Sequence, residues 1–249
     1  MAKPKNLADS LEADVAKAPA RATKSARKRA AVAESPKAQK QPPSSTRAVA
    51  TYERLIATAG ELLGEVGFEK LTTNAICARA NLTPPALYRY FSDKYEILEE
   101  LGRRLLKRQY DAYAVWLFDG GAFVGSARHP QKLEEWFRIA ADIVATEPGG
   151  VWTMRALRAL PNLAHVRLDS QRMFTDQMFA FYKRIHSDAA DDKLWCRLRI
   201  RAEFGFVVDE LAIEEDRIPR DVLFSEAARI IGHALDGVAN DLQNLHPPE

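Results

Sequence analysis

Side chains that commonly carry catalysis or bind metals are scattered in this sequence. The histidines and cysteines lie far apart, at His129, His165, His186, His233, His246, Cys77 and Cys196. No group of them has the spacing of a metal site, and there is neither a glycine-rich phosphate loop nor a nucleophile elbow. We therefore expect a protein that is not an enzyme and that has no metal, no cofactor and no disulfide framework.

Binding chemistry is concentrated instead in the segment ANLTPPALYRYFSDK, residues 80–94. Two consecutive prolines stand there in a sequence that otherwise favours helix. Proline is costly inside a helix but tolerated in the first turn, where its missing N–H would have no partner. Thr83 is a good N-cap residue, so we predict a short helix over 83–91. Its first turn should be irregular, because Pro85 disfavours the helical conformation of Pro84.

Two helices must precede this one to position it. Apolar residues at helical spacing predict the first of them, and they are Leu55, Ile56, Ala59, Leu62, Leu63 and Val66. Gly67 follows as its expected C-cap. A second helix should run from about Thr72 to Ala80, and Asn81 then stands where the chain must turn, since Asn tolerates the left-handed conformation.

The second and third helices are thus separated by three residues, 81–83, and Ser92 or Asp93 should cap a fourth helix. Two helices joined by such a short turn form a helix-turn-helix. In that arrangement the second helix of the pair lies in the major groove of DNA and presents its N-terminal residues to the base edges. The prolines are acceptable in that exposed first turn.

Residues 67–98, GFEKLTTNAICARANLTPPALYRYFSDKYEIL, resemble the DNA-binding domain of the tetracycline-repressor (TetR) family. That family is typified by Gly-Phe, a Thr cap, Ile-Ala-x-x-Ala-Gly-Val-Ser, Leu-Tyr-x-His-Phe and a Ser-Lys pair. This sequence follows the pattern in order and without gaps. It departs from it at Asn81, which replaces Gly, at Tyr90, which replaces His, and at Ala75, where an acidic residue often completes a capping box.

The resemblance implies DNA-contacting roles for individual residues. Thr72 would cap the second helix and offer its hydroxyl to a phosphate. Tyr88 and Tyr90 fall at positions that contact the DNA backbone, and Lys94 matches a phosphate-binding lysine. Such contacts position the protein but do not read sequence. For Tyr88, a plain packing role is the alternative.

Sequence readout is expected from the start of the third helix, at Thr83, Pro84, Pro85 and Ala86. The last three cannot donate a side-chain hydrogen bond. Direct readout should therefore rely on apolar contact with thymine methyl groups, and Arg89 is the main candidate for contacting guanine.

Charge and composition divide the chain into parts. Residues 1–46 carry ten basic and four acidic residues and no aromatic residue, so we predict a disordered basic tail. It could contact nucleic acid non-specifically, or be a solubilising leader or the product of a misassigned start codon. A helix-turn-helix domain is predicted for 47–98. The resemblance implies a ligand-binding and dimerisation domain for 99–249, where residues 111–249 carry 16 basic and 22 acidic residues.

No segment alternates with the period of a strand, so we expect an all-α fold of about nine helices. Helices beyond the first domain are predicted at 131–147, 150–160, 163–186, 192–215 and 219–245. The resemblance implies that the last two form a four-helix interface in a homodimer. Apolar residues cover both helices, although they could instead serve an internal core.

By the same resemblance, several side chains fall in segments that line a ligand cavity: Trp116, Trp152, Phe174, Met178 and Tyr182. Aromatic and Met residues at helical spacing could equally be ordinary core. Arg155 and Arg158 lie one helical turn apart, and they would either orient an acidic ligand or lie on the surface. His165 is open in the same way.

Together these patterns predict a cytoplasmic, dimeric repressor. Its partners would be a palindromic double-stranded DNA operator and a small apolar or amphipathic effector that releases it. No apolar run approaches the roughly 20 residues needed to cross a membrane. Two other hypotheses stay open: an interaction module of the same fold without regulated DNA binding, and an enzyme built in the helical domain.

Overall fold

The computed structural model describes residues 45–117, 130–185 and 190–245, and every regular element in those ranges is helical. The all-α expectation is confirmed for this part of the chain. Its helices are α1 (Thr46–Lys70), α2 (Thr73–Ala80), α3 (Pro84–Tyr88), α4 (Lys94–Trp116), α5 (Pro130–Thr146), α6 (Gly150–Ala159), α7 (Ala164–Ile185), α8 (Asp191–Glu214) and α9 (Arg220–Leu245), with a 3₁₀ turn at Pro161–Leu163.

The periodicity of apolar residues placed the helices after α4 within one or two residues of their observed ends. The basic tail predicted for 1–46 lies outside the described residues except for its last two, and α1 already begins at Thr46. The division into 47–98 and 99–249 stays a prediction. None of the described helices is both long and apolar enough to span a bilayer.

Helices α1 to α4 pack around a core of aliphatic side chains, and Leu55, Ile76 and Leu87 in it are fully buried. Cys77 belongs to this core at 3% exposure, and burial raises the pKa of its thiol. The guanidinium of Arg79 joins α2 to α1 through two hydrogen bonds, of 2.9 and 2.8 Å, to the carboxylate of Glu65.

Gly67 interrupts α1 at the position where the helix was expected to end. Gly67 has φ +73° and ψ 175°, so it breaks the helical path, but the chain resumes a helical turn and α1 ends at Lys70. A Cβ atom at this position would lie 3.1 Å from the indole ring of Trp152 on α6. Gly67 therefore serves both the bend in α1 and the packing of α6 against it.

A second core lies among α4, α5, α7, α8 and α9 and is rich in aromatic rings. Tyr113 is at its centre, with ring centroids of Trp116, Trp136 and Phe174 at 5.5, 4.9 and 5.3 Å. Aromatic pairs at these separations add to the stabilisation that burial already supplies. This cluster forms one wall of the internal cavity described below.

Candidate nucleic-acid interface and internal cavity

The turn between α2 and α3 has the geometry that its residues predicted. The hydroxyl oxygen of Thr72 accepts a hydrogen bond of 3.1 Å from the N–H of Ala75 and so caps α2. Asn81 adopts the left-handed conformation at φ 52° and ψ 50°. The N–H of Leu82 then donates to the carbonyl of Cys77 at 2.9 Å, which closes the end of α2. These contacts fix the direction in which α3 leaves the turn.

Helix α3 is shorter than the predicted span of 83–91. It covers Pro84–Tyr88. After it, the N–H of Tyr90 donates to the carbonyl of Leu87 at 2.8 Å, which is the three-residue spacing of a 3₁₀ turn and not the four-residue spacing of an α-helix. Thr83 occupies the N-cap position, but its side chain makes no capping bond. The first two helical residues are prolines without N–H groups, and the N–H of Ala86 donates to the carbonyl of Thr83 at 2.9 Å.

The first turn of α3 faces solvent. Thr83, Pro84 and Pro85 are exposed and Ala86 is half-buried, whereas Leu87 beneath them is fully buried. This placement follows from helical periodicity, because Leu87 anchors α3 to the core while the residues before it lie on the other side. The side chains expected at the major groove are therefore accessible.

Two hydroxyl groups meet beside this turn. The hydroxyl of Tyr88, a side chain 45% exposed, lies 3.2 Å from the hydroxyl of Thr73, and Thr73 follows the cap residue Thr72. The sequence reasoning missed Thr73, although its place next to the cap could have indicated it. Tyr88 is thus held at the surface by a polar contact, and its contact with the DNA backbone stays a prediction.

Tyr90 and Lys94 are more enclosed. The half-buried ring of Tyr90 meets that of Tyr52 edge to face at 5.8 Å, and the exposed Arg89 places its guanidinium 5.9 Å from the Tyr90 centroid. The ammonium of Lys94 donates to the carbonyls of Phe68 and Leu71, each at 3.3 Å. Lys94 therefore ties the start of α4 to the end of α1, and these bonds use two of its three N–H donors.

Of the two residues expected to cap α4, Ser92 and Asp93, it is Asp93 that does so. Its carboxylate accepts from the N–H groups of Tyr95 and Glu96 at 2.9 and 3.1 Å. The carboxylate of Glu96 accepts in turn from the N–H of Ser92 at 2.6 Å. This reciprocal pair holds Lys94 at the first turn of α4.

The residues expected to line a ligand cavity fall into two groups. Phe174 and Met178 line a cavity between α4, α5, α7 and α8, and Trp116 and Tyr182 belong to the same core. Trp152 instead packs near Gly67, outside that cavity. The tertiary structure therefore separates side chains that their residue types had grouped.

Arg155 lies beside Trp152 and likewise does not line this cavity. Its guanidinium stands 5.0 Å from the Trp152 ring centroid and 3.8 Å from the Glu214 carboxylate. Arg158 pairs with Glu210 at 3.3 Å and His165 with Glu99 at 3.0 Å, both at partly exposed positions. Arg155 and Arg158 also line a second cavity, between α6 and α8, so the structure pairs them with carboxylates and leaves their role toward a ligand open.

Four polar side chains of the cavity were missed: Gln109 and Tyr113 on α4, and Arg201 and Asp209 on α8. Arg201 and Asp209 are 4% and 7% exposed. A signal was present, because Leu194, Leu198, Arg201 and Val208 share one face of α8. A charged residue on such an apolar face points either to a buried partner or to a site.

The electrostatics of the cavity are unusual. Burial raises the pKa of Asp209 to about 7. A hydrogen bond of 3.1 Å from the amide of Gln109 lowers this pKa, but its effect is the smaller of the two. Burial also raises the pKa of Tyr113, whose hydroxyl has no hydrogen-bond partner within the described part of the chain. The cavity therefore combines an aromatic wall with several buried groups that can donate or accept hydrogen bonds.

A helix-turn-helix followed by a larger helical part with an internal cavity is the arrangement found in a class of DNA-binding regulators. Residues 55–101 match the sequence model of bacterial regulatory proteins of the tetR family. This match identifies residues 55–101 as a DNA-binding segment of the TetR type, and the relatives below support that family.

Two curated relatives match the same region. The tetracycline repressor protein class C of Escherichia coli is 43% identical over 54 residues, and class G of Vibrio anguillarum is 38% identical over 56 residues. Each match covers 22% of this chain, and they cover 25% and 27% of the two repressors. The similarity therefore spans about a quarter of each relative.

Solved structures extend the likeness of fold to most of the chain. A tetR-family transcriptional regulator from Streptomyces coelicolor superposes with a TM-score of 0.57 at 16% identity, over 77% of this chain and 83% of that one. A putative TetR-family regulator from Syntrophomonas wolfei gives 0.56 at 10% identity, over 73% and 93%. At these identities the likeness concerns the fold alone.

Proposed function

We propose that the protein is a dimeric transcriptional repressor that binds a palindromic DNA operator and is released by a small molecule. The observation that carries the proposal is the turn at Asn81, which directs the exposed first turn of α3 away from the core. A helix held in this way can enter the major groove while its partner helix crosses the DNA backbone.

In this proposal the hydroxyls of Thr72 and Tyr88 and the ammonium of Lys94 contact phosphates on either side of the groove. Tyr90 supports Arg89 from below, since the guanidinium lies 5.9 Å from the ring centroid. Arg89 then reads guanine, while Pro84, Pro85 and Ala86 meet thymine methyl groups.

The homodimer is supported by apolar side chains that α8 and α9 expose: Ile200, Phe204, Leu211, Val222 and Ile230, at 50%, 46%, 38%, 52% and 64% exposure. The first three share one face of α8 at helical spacing. Apolar residues in such continuity on two neighbouring helices are typical of a protein interface. Two copies joined there would present two α3 helices to two half-sites.

The cavity supports the release step. An effector bound among α4, α5, α7 and α8 contacts helices that also reach the first domain, because α4 begins at Lys94 beside the turn. Release requires that the effector prefer the arrangement that does not bind DNA, since equal affinity for both would shift nothing.

A mobility-shift titration on the intergenic DNA upstream of the protein's own gene tests the DNA-binding step. The full chain and a chain lacking residues 1–46 are each compared with their Tyr88→Ala variant, in excess non-specific competitor. We expect a shift that survives competitor and tail removal and is lost with Tyr88→Ala. Tyr110→Ala, on α4 and away from the turn, serves as the aromatic control.

Binding that disappears with the tail would mean that the affinity is only electrostatic and independent of sequence. Binding unaffected by Tyr88→Ala would place the DNA elsewhere on the surface. Either result would reject this interface and favour the interaction module of the same fold.

A further inference from the structure

We infer that the internal cavity takes a small organic acid, whose anionic group pairs with the guanidinium of Arg201 on α8. This inference rests on the effector cavity of the proposed function and names the chemical class that the cavity selects.

The inference depends on the burial and the incomplete hydrogen bonding of Arg201. It is 4% exposed and lines the cavity. One guanidinium nitrogen donates to the hydroxyl of Tyr182 at 3.4 Å, while the other terminal nitrogen is buried without a hydrogen-bond partner in the described ranges. No carboxylate within those ranges forms an ion pair with it, whereas its neighbour Arg199 pairs with Glu203 at 3.1 Å.

A guanidinium in this position cannot relieve its own burial. Arginine stays protonated at any pH that the folded protein meets, and an uncompensated buried charge is strongly unfavourable. A neutral guest would leave that charge unpaired. An anion would supply the missing partner through charge-assisted hydrogen bonds, which planar carboxylates accept in pairs from arginine.

The second charged group of the cavity does not favour a cationic ligand. Asp209 already accepts a hydrogen bond of 3.1 Å from Gln109, and its carboxyl can neutralise itself by taking up a proton. Tyr113 adds another donor to the same cavity, and its hydroxyl has no partner among the described residues. The site therefore has more positive charge and hydrogen-bond donors than acceptors, and the carboxylate of an acid would pair with them.

The space available points to a compact molecule. The cavity volume is about 50 Å³, which holds a few waters. Gly205 lies between Arg201 and Asp209 on α8, and a Cβ atom there would meet nothing within 4 Å. The rings of Trp136 and Phe174 and the flexible side chain of Met178 form the opposite wall. The cavity must widen to admit a single-ring acid, and Met178 is the wall residue whose flexible side chain can yield.

Three probes of nearly equal shape test the charge. Benzoate, benzamide and benzamidine present an anion, a neutral amide and a cation on the same ring, and each is titrated into the full-length protein by calorimetry. We expect benzoate to bind at least about tenfold more tightly than the other two, from the strength of charge-assisted hydrogen bonds. Equal affinities, tighter binding of benzamidine, or no binding of benzoate would overturn the inference.

Variants locate the site. Arg201→Met should weaken benzoate binding by about tenfold to a hundredfold, and Arg201→Lys should retain part of the preference for the anion. Arg199→Met, two residues away and already paired with a carboxylate, should leave it unchanged. Benzoate affinity that is the same in Arg201→Met and in the wild type would contradict the assignment. The comparison of the three probes in the wild type stands even if a variant fails to fold.

A mobility shift with the wild-type protein, run beside these titrations, separates this inference from the proposed function. DNA binding that depends on Tyr88, with no preference for benzoate, rejects the acid and leaves the regulator. A preference for benzoate that depends on Arg201, without DNA binding, supports the acid site and rejects the regulator.

Discussion

Gly149 in the turn between α5 and α6 packs directly against Gly60 in the middle of α1. A Cβ atom on Gly149 would lie 2.5 Å from the carbonyl oxygen of Gly60, and a Cβ atom on Gly60 would lie 2.8 Å from the carbonyl oxygen of Pro148. Gly149 also has φ +71°. The two backbones approach this closely only because neither residue has a side chain.

Gly149→Ala should therefore destabilise the protein by at least about 2 kcal/mol, since the positive φ and the clash with a backbone oxygen add to each other. Chemical denaturation measures the change in the free energy of unfolding. Gly205→Ala is the matched control, because a Cβ atom there meets nothing and alanine favours the helix. It should be neutral or stabilising. Equal losses in the two variants would contradict the packing argument.

Arg89→Ala should relax the sequence preference of DNA binding by about 1–3 kcal/mol at a single G·C pair. Arg89 is exposed and lies over Tyr90, so its removal leaves the core intact. Selection from a randomised operator library reads the preference at each position. Arg172→Ala, an exposed arginine on α7 paired with Asp169, removes the same charge elsewhere. A uniform loss across all positions would instead assign Arg89 to a phosphate.

Asp209 should make stability fall as pH rises from about 4 to about 7. Burial raises the pKa of this carboxyl from 3.8 to about 7, so in this window the folded protein holds a proton that the unfolded chain has released. The decrease is at most roughly 4 kcal/mol and is complete above the raised pKa. Urea unfolding at several pH values measures it.

Asp209→Asn removes the titrating group while keeping an oxygen that can accept from Gln109. The variant should lose that part of the pH dependence and be the more stable protein at about pH 8. The same slope in the two proteins between about pH 4 and pH 7 would show that Asp209 is not responsible.

Phe204→Asp should dissociate the proposed dimer. Phe204 is 46% exposed, so the folded monomer tolerates the carboxylate, whereas a buried interface would not. Sedimentation equilibrium gives the mass in solution, and we expect a dimer for the wild type and a monomer for the variant. Met173→Asp, which replaces an exposed apolar residue on α7, is the control. A dimeric Phe204→Asp would place the interface elsewhere.

Local interactions explain what could be predicted from the sequence. The helices, the capping of α2 by Thr72, the turn at Asn81 and the place of the prolines depend on residues close together in the chain. Helical periodicity and backbone preference determine them, and the resemblance to the TetR family depended on the same segment. Thr83 is the N-cap residue of α3 as expected, but its side chain makes no capping bond, and the N–H of Ala86 donates to its backbone carbonyl.

The tertiary structure decided what depends on contacts between distant residues. Trp152 and Trp116 are the same residue type in neighbouring helical segments, yet one packs near Gly67 and the other joins the core that walls the cavity. Arg155, Arg158 and Arg201 are likewise indistinguishable by type. Only the packing of α8 against α4 and α7 buries Arg201 where no carboxylate of the described residues pairs with it, while Arg155 and Arg158 pair with glutamates at partly exposed positions. Burial and pairing arise from the whole fold, which is why the sequence determined the turn and the structure determined the cavity.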